Sequence, residues 1–387
     1  MTPDPPALDA EGLVQTAARV ADRIAETAAD RDADRAFPAE AFRRLRGAGL
    51  MTATLPAELG GAGLGGPGAR HALYRVLAEV GRGSLPVGRV YEGHVNALDL
   101  VVTYGTDRQR GRAADDAHRG HVFGVWNTEG ADGVRLEPTG DGGAVLRGAK
   151  TFCSGAGSVT RAFANGRTPE GGWQMVLVDL DGHGDRVEPD SWSAEGMRAS
   201  QSGRVSFDGL RVGPDALVGG PGDYTREPDF TGGAVRFAAV HLGGARALAD
   251  AAGDLLRRLD RTGDPHQRAR AGRAAIAVET GALWLLGAAR LWEAWAAGRA
   301  DADADAVVAY AQMTRTAVER VCLDVLELAD RSVGARGLLP PVPIERIGRD
   351  LRLYLRQPAP DAALDAAGAA ALDRPALARG SAPYSDA

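Results

Sequence analysis

Residues 143–155 read GAVLRGAKTFCSG. The run is short, carries β-branched and aromatic residues, and is bounded by glycines, which is the pattern of a strand or hairpin and not of a helix. Similar runs lie around it: HVFGVWNT (121–128), WQMVLVDL (173–180), GRVSFDGLRV (203–212) and DALVGG (215–220). Gly, Asp and Pro clusters separate them at intervals of roughly ten residues, the spacing of a compact β domain. PDALVGGPGDYTREPD (214–229) is turn-rich and reads as the exit linker.

The helical period returns on both sides. GLVQTAARVADRIAETAADRDADR (12–35) and FPAEAFRRLRGAGL (37–50) space apolar residues three and four apart. Pro38 sits where a helix begins and Gly49 where it stops. Beyond residue 230, three long helical segments (230–261, 268–298 and 304–334) are enough for a bundle, and IERIGRDLRLYLR (344–356) follows. The expected organisation is an α-helical N-terminal domain (1–120), a central β-barrel domain (121–225) and a C-terminal four-helix bundle (226–387). The tail after about 370 is expected to fray.

Composition narrows the class. The chain has 387 residues, 44% hydrophobic and 25% charged, at formal charge −6. This is a globular balance with no basic excess to attract nucleic acid or anionic membrane. No uninterrupted run of 18 apolar residues occurs, and the acidic, proline-rich start does not fit a signal peptide. A cytoplasmic protein is expected. Cys153 and Cys322 are too few for a disulfide framework or a structural zinc site, and the seven histidines show no metal-binding spacing. Of 45 basic residues 44 are arginine, which reads as a GC-rich genome; Lys150 is the single lysine.

Several motifs have an ordinary reading. LGGAGLGGPG (59–68) follows no strand and lacks GK[ST], so it is a surface turn and not a phosphate loop. Trp284, Trp292 and Trp295 belong to a core or a subunit interface. RRLDRTGDPHQRARAGR (257–273) is a solvated helix–helix connection, with an anion site as the alternative. More informative are Trp126, Asn127 and Thr128 at a strand end, with Phe152 and Ser154 two apart and on one side of a regular strand. An aromatic face beside a hydroxyl can cover a planar heterocycle and hydrogen-bond its edge, although strands also carry such residues for packing.

From end to end the chain resembles the acyl-CoA dehydrogenase superfamily. FPAEAFRRLRGAGLMTATLPAELGGAGLG (37–65) resembles its N-terminal signature, WNTEG (126–130) the start of its TEPxxGSD flavin loop, and GAKTFCSGAG (148–157) its GxKxWITN strand. GMRASQSGRVSFDGLRV (196–212) resembles the segment closing its β domain, and IERIGRDLRLY (344–354) its FPVERYFRD run. The resemblance implies a flavin cofactor, FAD first, and a homodimer or homotetramer. It implies that Trp126, Asn127 and Thr128 line the pyrimidine side of an isoalloxazine, that Phe152 stands beside the ring and that Ser154 stands near N5.

Departures from the family pattern bear on function. GADGV (130–134) lacks PxxGSD. The RxxFG stretch is replaced by RTGDPHQRAR (261–270), in which Gln267 matches a family glutamine. QxxGGxG appears as RSVGARG (331–337), with Arg331 in place of glutamine as a cofactor contact. The family's catalytic glutamate falls nine residues after Arg349, on Pro358, and its alternative position falls on Ala234. Neither side chain can take a proton, so ordinary α,β-dehydrogenation lacks its base. VYEGHVNALDL (90–100) offers His94 or Glu92 as a replacement proton carrier, against a purely structural role for the pair; His241 reads as a core histidine.

A flavin-dependent monooxygenase branch of the superfamily also lacks the glutamate, and His94, Asn127, Ser154 and Pro358 resemble its pattern. Arg356 and Gln357 stand where that branch has a histidine. The first expectation is therefore a flavin-dependent oxidoreductase acting on a CH–CH bond of an acyl thioester or related small molecule with a non-standard base. The alternatives are a monooxygenase using O2 and reduced FMN or FADH2 from a reductase partner, and a non-catalytic subunit of a flavoprotein complex. An electron-transfer partner is implied for the first.

Overall fold

A computed structural model describes residues 10–300, 302–357 and 359–373. Pro358 and the expected frayed tail beyond 373 lie outside the described residues. Among the described residues, six α-helices come first: α1 (Ala10–Ala25), α2 (Ala28–Ala33), α3 (Ala39–Gly47), α4 (Arg70–Gly83), α5 (Leu85–Tyr104) and α6 (Asp107–Arg119). The 12–35 segment, expected as one helix, breaks at Glu26–Thr27 into α1 and α2. α6 begins on a capping box, in which Thr106 Oγ accepts from the Gln109 amide and the Gln109 side chain accepts from the Thr106 amide. It stops on Gly120 in the left-handed region.

Ten strands follow: β1 (Phe123–Trp126), β2 (Arg135–Pro138), β3 (Ala144–Arg147), β4 (Ala149–Cys153), β5 (Arg161–Ala164), β6 (Gly166–Arg167), β7 (Trp173–Asp179), β8 (Gly203–Ser206), β9 (Leu210–Val212) and β10 (Leu217–Val218). The sheet runs β1-β5-β7-β6-β2-β3-β9, with β10 also on β7, so part of the expected exit linker is a strand. β1 and β9 lie at opposite ends of this order and do not pair with each other. The expected closed barrel is therefore an open, curled half-barrel. β4 and β8 form a separate two-stranded ladder, with a single further bridge from Val205 of β8 to Val187, and their register shifts between Lys150 and Cys153, which leaves the ladder irregular where a barrel would need to continue.

The helical bundle comprises α7 (Asp229–Gly232), α8 (Ala234–Arg258), α9 (Pro265–Ala296), α10 (Ala304–Gly337), α11 (Pro343–Tyr354) and α12 (Pro360–Asp373). Asp264 caps α9 by accepting from the amides of His266 and Gln267, with Pro265 in the first turn. By length and apolar composition, α9 is the one described helix that could cross a bilayer; here it packs against α8 and α10.

Two contacts hold the layers together. α4 lies directly on α8 because glycines remove side chains from the crossing. A Cβ on Gly243 would stand 2.0 Å from the Ala78 carbonyl oxygen, and one on Gly81 would stand 2.5 Å from that of Val240. α5 touches β1, α8 and α11 at once, so its buried face is common to all three parts of the chain. One apolar core runs through the three parts, and a second, including Leu98, Val101, Phe123, Phe163 and Met175, fixes α5 and α6 against the sheet.

Candidate functional site

The end of β1, the end of β4 and helix α5 meet here. Trp126 is buried, and its indole N–H donates to the Ser154 carbonyl at 3.1 Å, tying the two strand ends together. Asn127 is half-buried. Its amide nitrogen donates to the Tyr224 hydroxyl, and its Oδ1 accepts from Asn165 Nδ2 at 2.8 Å. Thr128 is exposed, and its carbonyl accepts from the Thr151 amide at 2.8 Å. Burial pushes the Tyr224 phenol up to about 12, so it meets Asn127 as a neutral hydroxyl.

Phe152 and Ser154 do not share a side, contrary to the regular-strand expectation. The register break in β4 and the left-handed backbone at Phe152 (φ 54°) turn the phenyl outward, 55% exposed, while Ser154 is 6% exposed. Trp192 meets the phenyl edge-on, with centroids 6.0 Å apart. Ser154 Oγ accepts from Ser202 Oγ at 3.0 Å. Ser202 Oγ lies 2.7 Å from Ser200 Oγ, which donates to the Met197 carbonyl at 2.8 Å. Ser200 and Ser202 were not read as site residues from the sequence, though SQS in the 196–212 match was the available signal.

His94 does not stand open to a cavity. It is fully buried; Nδ1 accepts from the Phe123 amide at 3.1 Å, and Nε2 therefore donates to the Met51 carbonyl at 2.6 Å. Burial pushes it down to about 4, so it is neutral and stitches α5 to β1 and to the turn after α3. The expected proton-carrier role gives way to a structural one because both nitrogens are already used. Glu92 is also buried, and it pairs with Arg89 at 2.6 Å and with Arg236 at 3.6 Å. Arg236 further meets Asp99 at 3.3 Å, as well as Asn96. A carboxylate shared by two guanidinium groups, Arg89 of α5 and Arg236 of α8, ties the two helices together.

Of the two positions that the family resemblance assigns to a base, Ala234 lies beside this tie and Pro358 lies outside the described residues. Ala234 opens α8 two residues before Arg236 and offers a methyl group. Tyr354, buried at the end of α11, packs edge-on to His241 with centroids 4.3 Å apart. Burial pushes the His241 imidazole down to about 3, as expected of a core histidine, and its Nε2 has no partner. Gln267 and Arg331 are not brought to this place by the chain's own fold. Gln267 is buried at the start of α9 and donates to the Ser332 carbonyl at 3.1 Å, while Arg331 is exposed and pairs with Glu327 at 3.1 Å. Both cysteines are free and buried, and burial pushes their thiols up.

Residues 9–121 match the acyl-CoA dehydrogenase N-terminal domain, and residues 235–355 match the acyl-CoA dehydrogenase C-terminal domain. The chain belongs to the acyl-CoA dehydrogenase family. It is an acyl-CoA dehydrogenase-like flavoprotein oxidoreductase. Relatives extend along nearly the whole chain. It is 26% identical over 372 residues to dibenzothiophene monooxygenase of Rhodococcus erythropolis, covering 88% of each chain. It is 30% identical over 364 residues to L-evernosamine nitrososynthase of Micromonospora sp., covering 88% of this chain and 84% of that one. It is 29% identical over 370 residues to 3-sulfinopropanoyl-CoA desulfinase of Paraburkholderia xenovorans, covering 88% and 90%. KijD3, solved with FMN and a dTDP-amino-keto sugar, superposes with a TM-score of 0.80 at 25% identity, covering 96% of this chain and 95% of that one. Within the family, this oxidoreductase lies beside monooxygenase and nitrososynthase relatives.

Proposed function

We propose that this chain is a flavin-dependent monooxygenase that takes up reduced flavin and uses O2 to oxygenate a small molecule. The observation that carries the reading is the base position. Ala234 stands at one of the family's two glutamate sites and proline at the other, while the buried carboxylate Glu92 is shared by Arg89 and Arg236. Abstraction of an α-proton from a thioester needs a base free to accept it, and both nitrogens of the buried His94 are also engaged. Acyl thioester dehydrogenation, the first expectation, is thus the less supported reading, and the similarity to a dibenzothiophene monooxygenase and a nitrososynthase favours the alternative.

The side chains present suit a planar flavin. Phe152 supplies an exposed ring face. Asn127 and Thr128 supply a polar edge. Ser154, whose Oγ already accepts a hydrogen bond from Ser202, has its own O–H to donate. Reduced FMN, or FADH2, delivered by a reductase is the proposed cofactor, with FMN favoured by the likeness to KijD3. When bound, the reduced flavin supplies two electrons that divide O2 between the substrate and water. The protein's part is to hold the ring against Phe152, to present the Ser154 hydroxyl and the Asn127 amide to its edge, and to exclude water with the α5–α8–α11 contact. Asn127 is itself oriented by Tyr224 and Asn165. A homo-oligomer is proposed as well, on the exposed Ile276 and Leu283 of α9.

The test supplies FMN, a reductase and NADH to the purified protein under 18O2 and screens sulfur heterocycles and nucleotide amino sugars. Incorporation of one 18O into a product supports the reading. Oxygen-independent dye reduction by an acyl-CoA, with no 18O product, overturns it.

A further inference from the structure

Lys150 is the single lysine in a chain that uses arginine at 44 other positions, and its side chain is wholly buried. The exception has a local physical reason. From β4 the ammonium reaches back to the turn after β1. There it donates to Glu129 Oε2 at 2.7 Å and to the Asn127 carbonyl at 3.4 Å, and it lies 4.8 Å from the centre of the Trp173 ring. An ammonium carries three N–H donors. One carboxylate, one carbonyl and one aromatic face receive them. A guanidinium carries five donors in a planar fork and would leave some of them unpaired in this space.

The backbone is shaped for the same contact. A Cβ on Gly133 would stand 2.3 Å from the Glu129 carboxyl carbon, so glycine there leaves room for the carboxylate that meets Lys150. The two ends of the contact carry both proposed flavin-facing segments. Lys150 is two residues before Phe152 and four before Ser154, and the groups it grips belong to Asn127 and Glu129, on either side of Thr128. The Thr151 amide donates to the Thr128 carbonyl between them.

We propose that Lys150 is a positioning residue for the flavin site. By satisfying Glu129 and the Asn127 carbonyl together, its ammonium sets the Asn127–Thr128 edge relative to the Phe152–Ser154 strand end. The inference rests on the flavin reading given above. It also explains why arginine, used everywhere else, is excluded here: a charge-conserving change is as damaging as loss of the charge.

The single lysine supplies its own probe. The full chain labelled with [13C,15N]-lysine shows one lysine side-chain spin system, which is followed before and after anaerobic addition of reduced FMN. Its Nζ and Cε resonances are expected to move on binding, in step with the absorbance change of the flavin. Lys150→Arg and Lys150→Met are each expected to weaken reduced-FMN binding by about 10-fold or more, the range for losing a hydrogen bond to a charged group. Losses in Lys150→Met and Glu129→Gln are expected to be non-additive in the double variant. The labelled wild-type chain keeps the test decisive even where a variant fails to fold. A wild-type chain that binds no flavin in either redox state overturns the flavin reading and this inference with it. A wild-type chain that binds flavin with an unmoved lysine signal, or a Lys150→Arg variant that binds as tightly as wild type, overturns the role of Lys150 alone.

Discussion

The backbone amide of Met197 donates to Asp350 Oδ1 at 2.6 Å. With Arg349 donating to the Glu195 carbonyl beside it, this bond fastens the turn that carries Ser200 and Ser202 to α11. Met197 and Gln201, which bracket the turn's core, both adopt left-handed backbone (φ 55° and 45°), a conformation uncommon in non-glycine residues. Asp350 is fully buried, and burial raises its carboxyl from 3.8 to about 6 against the opposing pull of Arg346.

A raised acid pKa makes a signed prediction. The folded chain binds this proton more tightly than the unfolded chain, so the contribution of Asp350 is most favourable below pH 4 and declines as pH rises from about 4 to about 6. The decline is of the order of 3 kcal/mol. Asp350→Asn keeps an acceptor for the Met197 amide and removes the titration. Urea unfolding at several pH values should show the difference between wild type and variant changing across pH 4–6 and flat above 7. A difference independent of pH contradicts the assignment.

His94 contributes with the opposite sign. Its pKa is lowered from 6.5 to about 4, so its contribution is complete above pH 6.5 and is lost as pH falls toward 4. The loss is again of the order of 3 kcal/mol. His94→Ala removes a buried ring and leaves the Phe123 amide without its acceptor, a cost of roughly 2–4 kcal/mol read by thermal or chemical melting. The pH profile of turnover in the folded fraction should not move. A shifted profile at unchanged stability would instead make His94 a proton carrier.

The Glu92 tie predicts asymmetry between partners. Arg236→Ala leaves Glu92 with only Arg89 and Asp99 with only Arg70, and it removes the partner of Asn96, so the loss of stability is expected at roughly 3–5 kcal/mol, the range for breaking a buried ion pair. Glu92→Gln, which retains hydrogen bonding, should cost less. In chemical denaturation, losses that add in the double variant would show that Glu92 and Arg236 act independently.

On α9, Ile276 and Leu283 are 69% and 56% exposed. Replacing both with glutamate should leave the fold intact and lower the mass measured by light scattering from an oligomer to a monomer. An unchanged mass places the interface elsewhere.

Ser154 offers the most direct test of the flavin face. Ser154→Ala keeps the strand and the Trp126 bond, since that bond uses the Ser154 carbonyl. Reduced-FMN affinity, followed anaerobically by absorbance, is expected to fall by roughly 2- to 10-fold, the worth of one neutral hydrogen bond. Unchanged affinity removes Ser154 from the flavin contacts.

Periodicity and turn chemistry are local properties, and they were sufficient for the order of helices, strands and helices and for the stop at Gly49. Residue identity at two positions, Ala234 and Pro358, was enough to question a glutamate-based reaction. Lys150 was visible in the sequence as an exception without a meaning. Its three acceptors come from Asn127, Glu129 and Trp173, which only the folded half-barrel brings together. Barrel closure was not legible because pairing between non-adjacent strands depends on register, and the register of β4 breaks at a position that no composition signal marks. The same break turned Phe152 outward and Ser154 inward. His94 could be recognised as titratable from its residue type. Whether it was free to titrate depended on Met51 and Phe123, which are 43 and 29 residues away and reach it only through tertiary packing. Sequence determines which chemical groups are available and the local shape around each; tertiary packing determines which of those groups are already satisfied, and therefore which remain for function.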